Sequence, residues 1–323
     1  MIARLTSLLR TRLGRLVMAA LGLLLIGLLL ANAGVDDVVR AVEKAAPSMG
    51  LVLLFEAGII FLDGWALMLL YPTPRPTLGE FVRVTLAGYP LAALAPAGRT
   101  VAEGVKAAIL ARRMGSAEAT VAAARIQAVL LLSNALASVP AAVIAFMTLD
   151  SKIPGWAALG NAVLMASIGL GVVLAGRGLN LGTLLGRRWG KAKTLGPEVD
   201  AVFRQKPLLP LAPLLVELLA RALAAAEIAA LLSAFGAVEV PRVLLSQGLF
   251  MVGTSLGDLL PAQLGATEAN FVFVRDAIGL SAGEAIAIPL LLRAAQLTWA
   301  AIGLVVPLFW GKTPEPAREQ QQE

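Results

Sequence analysis

Apolar and polar residues follow one another along this chain in long blocks. Residues 16–33, 49–70, 119–148, 155–175, 208–235 and 284–310 are each dominated by Leu, Ala, Val, Ile and Gly. A helix rises 1.5 Å per residue, so blocks of about 18–25 residues match a hydrocarbon core of about 30 Å. The pattern therefore predicts an all-helical membrane protein with six full transmembrane helices. Two apolar stretches fit less simply. Residues 84–95 are too short to span and run into Pro96-Ala97-Gly98-Arg99, and residues 242–260 run into Pro261 before a second short stretch at 271–279. A helix that enters, breaks and returns is a re-entrant hairpin, tolerated in a bilayer where other protein buries it or where it lines a cavity.

The polar blocks set the expected topology. Residues 1–15 carry four arginines and no acid, and residues 177–206 carry seven Lys or Arg against Glu198 and Asp200. Lys and Arg concentrate on the cytoplasmic side. If every apolar stretch spanned, these two basic segments would fall on opposite sides. If residues 84–113 and 243–283 instead return to the side they left, both basic segments and the C-terminus are cytoplasmic. Residues 34–48, with Asp36, Asp37, Arg40, Glu43 and Lys44, lie outside the membrane. Ala31-Asn32-Ala33 imitates a signal-peptidase site, but the first block is expected to be an uncleaved anchor. The membrane domain is expected over residues 16–312, with a disordered tail at 313–323.

Composition narrows the chemistry. Of 323 residues, 58% are hydrophobic and 15% charged, with a mean hydropathy of +0.81. There is neither Cys nor His, so no disulfide, no thiolate or imidazole metal ligand and no Ser-His or Cys-His pair can be built. No catalytic residue, metal or cofactor is expected. The net charge of +6 sits between apolar blocks, where it reports topology and not a nucleic-acid partner.

Charges inside apolar blocks are the candidate functional residues, because each costs about 2.5–3.5 kcal/mol near the middle of a spanning helix. Glu56 and Asp63 are seven apart and share a helix face. Glu217 and Arg221 are at i and i+4 and can neutralise one another, with Glu227 farther along. These five are expected to line a polar cavity. The two interrupted stretches also echo each other. Glu103 follows Pro96 by seven residues, as Glu268 follows Pro261, and Ser116 and Ser281 each lie 20 residues beyond the proline. Arg125 with Gln127, and Arg293 with Gln296, come farther on. The echo predicts inverted-topology repeats, about 49–148 and 208–310, meeting at a midplane substrate site. Arg99, Glu103, Arg125, Gln127, Asp258, Glu268, Arg293 and Gln296 are its candidate substrate-binding residues. Each has a plainer role: Arg125 can snorkel, Glu103 and Glu268 can cap helices, Glu217–Arg221 can be structural, and Trp299 and Trp310 can anchor at the interface.

The stretch LLPAQLGATEANFVF, with Pro261, Gly265 and Glu268, resembles the Pro-x-x-x-Gly-x-x-Glu signature of the flippase-like membrane domain of lysylphosphatidylglycerol synthases and their stand-alone relatives. LAPAGRTVAEGVKAAILARRMG is similar to that family's Pro-x-x-Gly stretch and its basic Leu-x-Arg-Arg-x-Gly segment. The resemblance covers roughly residues 15–312. It departs at Ala262-Gln263, where the family more often has paired glycines, and at Arg99, where an acidic or neutral residue is expected. It implies translocation of a lipid such as a phospholipid, a hopanoid or a polyprenyl-linked sugar, in the bacterial cytoplasmic membrane. The resemblance is expected to be to the stand-alone relatives that lack the synthase domain, and a homo-oligomer stays open. Two alternatives stand beside it. One is an ion-coupled transporter of a small soluble solute. The other is an intramembrane enzyme acting on a polyprenyl phosphate, since Pro96-Ala97-Gly98-Arg99-Thr100 faintly resembles the Pro-Gly-x-Ser-Arg-Ser motif of undecaprenyl diphosphatases but lacks the serine and the paired glutamates.

Overall fold

The computed structural model describes residues 24, 27–72, 75–95, 98–180, 182–184, 195–257 and 265–305. Apart from turns and one short 3-10 segment, the regular structure among these residues is α-helix. In chain order the main helices are α1 (Val35–Ala45), α2 (Met49–Leu69), α3 (Leu78–Leu94), α4 (Gly98–Met114), α5 (Ser116–Thr148) and α6 (Ile153–Gly178). They continue with α7 (Leu195–Gln205), α8 (Leu211–Ala234), α9 (Val240–Gly257), α10 (Ala266–Ile278) and α11 (Ala282–Val305). Four segments are long and apolar enough to cross a membrane: Val35–Leu69, Ser116–Thr148, Ile153–Gly178 and Ala282–Val305. The expected blocks at 119–148, 155–175 and 284–310 coincide with three of them to within a few residues, the last up to residue 305, whereas the first takes in both the block at 49–70, which is α2, and residues 35–48, expected outside the membrane. The block at 208–235 becomes α8, whose 24 residues place Glu217, Arg221 and Glu227 in every 18-residue window. Of the block at 16–33, residues 24 and 27–33 are helical and the others lie outside the described residues, as do Trp310 and the tail.

The two interrupted stretches form two helix pairs. The first arm, α3, begins at Leu78, well before the apolar run at 84–95, and has 17 residues. Thr77 stands in extended backbone before it, and α3 ends at Ala95, again extended, just before the proline. Arg113 near the end of α4 pairs with Glu80 near the start of α3 at 2.5 Å, so the pair returns to the end it left. In the second pair, the Arg242 guanidinium lies against Gly279, which likewise brings the start of α9 to the end of α10. The Asn270 amide donates to Leu249 O at 3.2 Å and ties those arms together.

The helices pack with an internal two-fold pattern. The α2 and α8 helices run antiparallel: Val52 clusters with Ile228, Leu231 and Leu232, while Leu67 and Leu70 cluster with Leu214 and Val216. When α2–α5 are exchanged for α8–α11, each packed pair among these eight helices maps onto another packed pair. Thus α5 packs on α9 as α11 packs on α3, and α5 on α8 as α11 on α2. Both cross-contacts are tight. A Cβ at Gly248 of α9 would lie 2.1 Å from the Ala141 Cβ, and one at Gly303 of α11 would lie 2.3 Å from Leu86 O. Small residues let helices approach where lipid offers no hydrophobic drive for association. Apart from the repeats, α6 packs along α5, where the Asn161 amide donates to Asn134 Oδ1 at 3.3 Å and to Ser138 Oγ at 3.0 Å.

Short, amphipathic α7 lies outside the apolar helices and carries Asp200, only 2% exposed. Its carboxylate accepts the backbone N–H of Gly182 at 2.7 Å, that of Thr183 at 2.9 Å and the Thr183 hydroxyl at 2.6 Å. Burial pushes this carboxyl up, but those hydrogen bonds outweigh it and hold the group below its ordinary range.

Two predictions follow from this packing. Gly303→Leu and Gly248→Leu each force their cross-contact apart and lower stability by about 1–3 kcal/mol, measured as loss of thermal stability in detergent. Asp200→Ala costs about 2 kcal/mol at neutral pH. Because the folded-state value is depressed, the contribution of Asp200 is present above its unfolded value of about 3.9 and is lost as pH falls through the lower folded value. The Ala variant lacks that acid-side component, which pH-dependent unfolding of both proteins reads directly.

Candidate functional site

The charges that the apolar helices carry come together. A cavity of about 350 Å³ is lined by residues of α2, α3, α4, α5, α8, α9 and α11. Four carboxyl groups (Glu56, Asp63, Glu103, Glu227) and four cations (Arg99, Lys106, Arg221, Arg293) line it. Gln247, Thr254, Asn134, Tyr89, Thr85 and Gln296 add neutral polar groups, and Ile59, Leu130, Phe250, Met251 and Leu297 complete the wall. Formal charge on the lining is balanced, as a low-dielectric site requires if its groups are to stay ionised.

Antiparallel α2 and α8 supply its carboxyl-rich wall. Glu56 accepts a hydrogen bond from the Tyr89 hydroxyl of α3, and its carboxyl stands beside that of Glu227. Two helical turns along the same contact, Asp63 stands beside Glu217. Glu217 is fully buried and its Oε2 lies 3.5 Å from the Arg221 guanidinium. The expected i, i+4 pair is therefore present and is joined by a third charged group. The i, i+7 spacing of Glu56 and Asp63 does place both on the face turned to the cavity.

The first helix pair supplies Arg99 in the opening turn of α4, with Glu103 and Lys106 one and two turns later. Lys106 Nζ donates to Glu103 Oε1 at 2.7 Å, and both residues are buried. Room for the lysine stem comes from Gly88 of α3, where a Cβ would press within 3.1 Å of it. Glu103 Oε2 is buried and has no hydrogen-bond partner among the described residues.

Glu268 of the second pair is fully buried and closes the start of α10. Its Oε2 accepts the Gly265 N–H at 3.0 Å and the Thr267 hydroxyl at 2.9 Å. Its Oε1 lies 3.6 Å from Arg293, whose guanidinium also donates to Thr267 Oγ1 at 3.2 Å. Capping and a contact to the cavity's arginine thus occur in the same side chain, so the two expectations for Glu268 are not exclusive.

Eight of the thirteen sequence candidates line the cavity: Glu56, Asp63, Arg99, Glu103, Arg221, Glu227, Arg293 and Gln296. Glu217 and Glu268 lie behind it, each touching an arginine that lines it. Arg125 and Gln127 are absent from the lining. Arg125 is 4% exposed on α5, in the same stretch as Val121 and Ala124, which pack against α7. Asp258 lies outside the described residues, as do Pro96 and Pro261. The Trp299 indole donates to Leu53 O of α2 at 3.1 Å and ties α11 to α2. The sequence candidates omit Lys106, Tyr89, Asn134, Gln247 and Thr254. Lys106 was within reach, since it stands at i+3 from Glu103, a spacing that brings two side chains together on a helix.

No family model matches the chain, and no curated protein or solved structure matches it detectably.

The Glu103–Lys106 pair generates a stability prediction. Lys106→Met leaves Glu103 buried without its cation and costs about 3–5 kcal/mol, whereas the double variant Lys106→Met with Glu103→Gln regains most of that loss. Unfolding of the four proteins in one detergent measures the cycle.

Proposed function

We propose that this protein is a lipid translocase of the cytoplasmic membrane, moving a polar or charged headgroup through the cavity while the acyl chains stay in hydrocarbon. The observation that carries this reading is the charge-balanced cavity of about 350 Å³, placed inside a bundle whose outer faces carry exposed Leu, Ile, Val, Phe and Trp. A headgroup pays many kcal/mol to cross bare hydrocarbon, and a polar cavity between helices lowers that cost. The resemblance of the two proline motifs to flippase-like domains points the same way. Arg99 and Arg293 suit a phosphate, because guanidinium offers two parallel N–H donors to an oxyanion.

In this reading six helices span: the segment at 16–33, α2, α5, α6, α8 and α11. The α3–α4 and α9–α10 pairs dip in from opposite faces as re-entrant hairpins, and the exchangeable halves are inverted repeats. Charge supports the orientation. Among the described residues the end bearing Arg75, Arg83, Arg112, Arg113, Arg177, Arg204 and Lys206 is assigned to the cytoplasm, against Arg40, Lys44, Lys152, Arg242 and Arg275 at the other end, where seven acids also lie.

The test is movement of labelled anionic, aminoacylated and polyprenyl-phosphate lipids between leaflets of proteoliposomes. Headgroup-selective movement is expected, and Arg293→Ala and Arg99→Ala are each expected to slow it by about tenfold or more. Uptake of a soluble solute with no lipid movement would reassign the protein to solute transport. Release of phosphate from a polyprenyl diphosphate would reassign it to intramembrane hydrolysis.

A further inference from the structure

Charge is not distributed evenly along the α2–α8 contact. Of the cavity's carboxyls, Glu103 has Lys106, and Glu217 behind Asp63 has Arg221. Glu56 and Glu227 have each other and the Tyr89 hydroxyl, and among the described residues no Lys or Arg nitrogen lies within ion-pair distance of either. Both are about 95% buried and line the cavity, and Glu227 Oε1 has no hydrogen-bond partner among the described residues. Two buried carboxyl groups that line the same cavity, with no cation at ion-pair distance, favour holding a proton between them, because two like charges a few ångströms apart cannot both persist in a low dielectric.

The surroundings are accounted for from each side. Asp63 lies two turns away on α2, Arg221 and Glu217 lie on α8, and Tyr89 comes from α3. Arg99, Glu103 and Lys106 come from α4, and Arg293 from α11. The α5 and α9 walls face the cavity with the neutral amides of Asn134 and Gln247. On α1, Lys44 is engaged by Glu284 and lies over the Phe235 ring. Depth matters as well. Glu56 and Glu227 are seven residues from the α2 start and the α8 end, about 10 Å in, while Asp63 and Glu217 are six residues from the opposite ends, about 9 Å in. The two carboxyl pairs therefore stand at about one third and two thirds of the helix length, with the cavity alongside Glu56, Asp63 and Glu227.

We propose that the Glu56–Glu227 pair is a proton-binding site that couples the protein to the transmembrane proton gradient, with Asp63 and Glu217 as the next station toward the cytoplasmic end. A proton is taken from outer water by the pair, passes through cavity water to Asp63, and is released inside. Only O–H bonds form and break, and no other reactant is consumed. The gradient as the driving force for lipid movement rests on the translocase reading, whereas the proton site itself does not.

The experiment uses the full-length protein in phosphatidylglycerol–phosphatidylethanolamine vesicles containing labelled phosphatidylglycerol. A gradient of one pH unit is a tenfold ratio of protons and sustains up to about a tenfold ratio of label between leaflets if one proton moves per lipid. Wild type is expected to build an asymmetry that a protonophore collapses, and Glu56→Gln and Glu227→Gln are each expected to bring the ratio to one. Label that moves to the same extent with the gradient imposed or collapsed, or that follows a sodium gradient instead, overturns proton coupling while leaving translocation standing. If no lipid moves, translocation of this lipid fails, and infrared spectroscopy decides the proton site alone. A protonated-carboxyl band at neutral pH that Glu227→Gln removes supports the site; its absence from wild-type protein overturns it.

Discussion

The contact between α2 and α8 is the constraint on which the rest of the bundle depends. Both helices are apolar, yet together they carry five ionisable groups. Insertion of α8 alone would expose Glu217, Arg221 and Glu227 to hydrocarbon at a cost of several kcal/mol. Antiparallel packing removes that exposure by placing carboxyl beside carboxyl and the arginine next to Glu217, all turned inward. The face that can be hidden is thus fixed by charge, and the remaining apolar faces are left for lipid and for the neighbouring helices.

A pair of antiparallel central helices also explains the two-fold pattern around them. Each is followed in sequence by a helix pair that returns to the end it left and then by a long apolar helix. With the central helices pointing in opposite directions, the same local order builds the two halves from opposite ends. The long helix of each half then falls beside the first arm of the other, as α5 does on α9 and α11 on α3. Gly248 and Gly303 make those approaches possible. The cavity is what is left where the seven helices around the centre do not fill the space with side chains.

Much of this was legible in the sequence, for physical reasons that can be named. Long apolar blocks give helices because backbone polar groups must be satisfied internally, and five of the six blocks reappear as helices with boundaries shifted by a few residues. Glu56 and Asp63 could be placed on one face by spacing alone. Partners across helices were not legible: nothing in the one-dimensional order sets Glu227 beside Glu56 or Glu217 beside Asp63. Arg125 misled because burial in an apolar block looks the same from the sequence whether the side chain turns toward a cavity or toward a neighbouring helix. Tyr89, Gln247 and Thr254 were passed over because uncharged polar residues carry little insertion penalty and so raise no alarm.

The two echoed glutamates show where the symmetry stops. Glu103 is neutralised by Lys106 three residues on, within the same helix, so any rigid movement of α4 carries acid and cation together. Glu268 is held by the Gly265 N–H and Thr267 of its own helix start but reaches Arg293 on α11. A shift of α10 against α11 therefore changes the distance between opposite charges beside the cavity, where a low dielectric makes that distance costly. A shift of α4 against α5 carries no such cost at Glu103. The halves share a fold pattern but not a charge pattern: the cation facing Glu103 lies on its own helix, and the cation facing Glu268 lies on another.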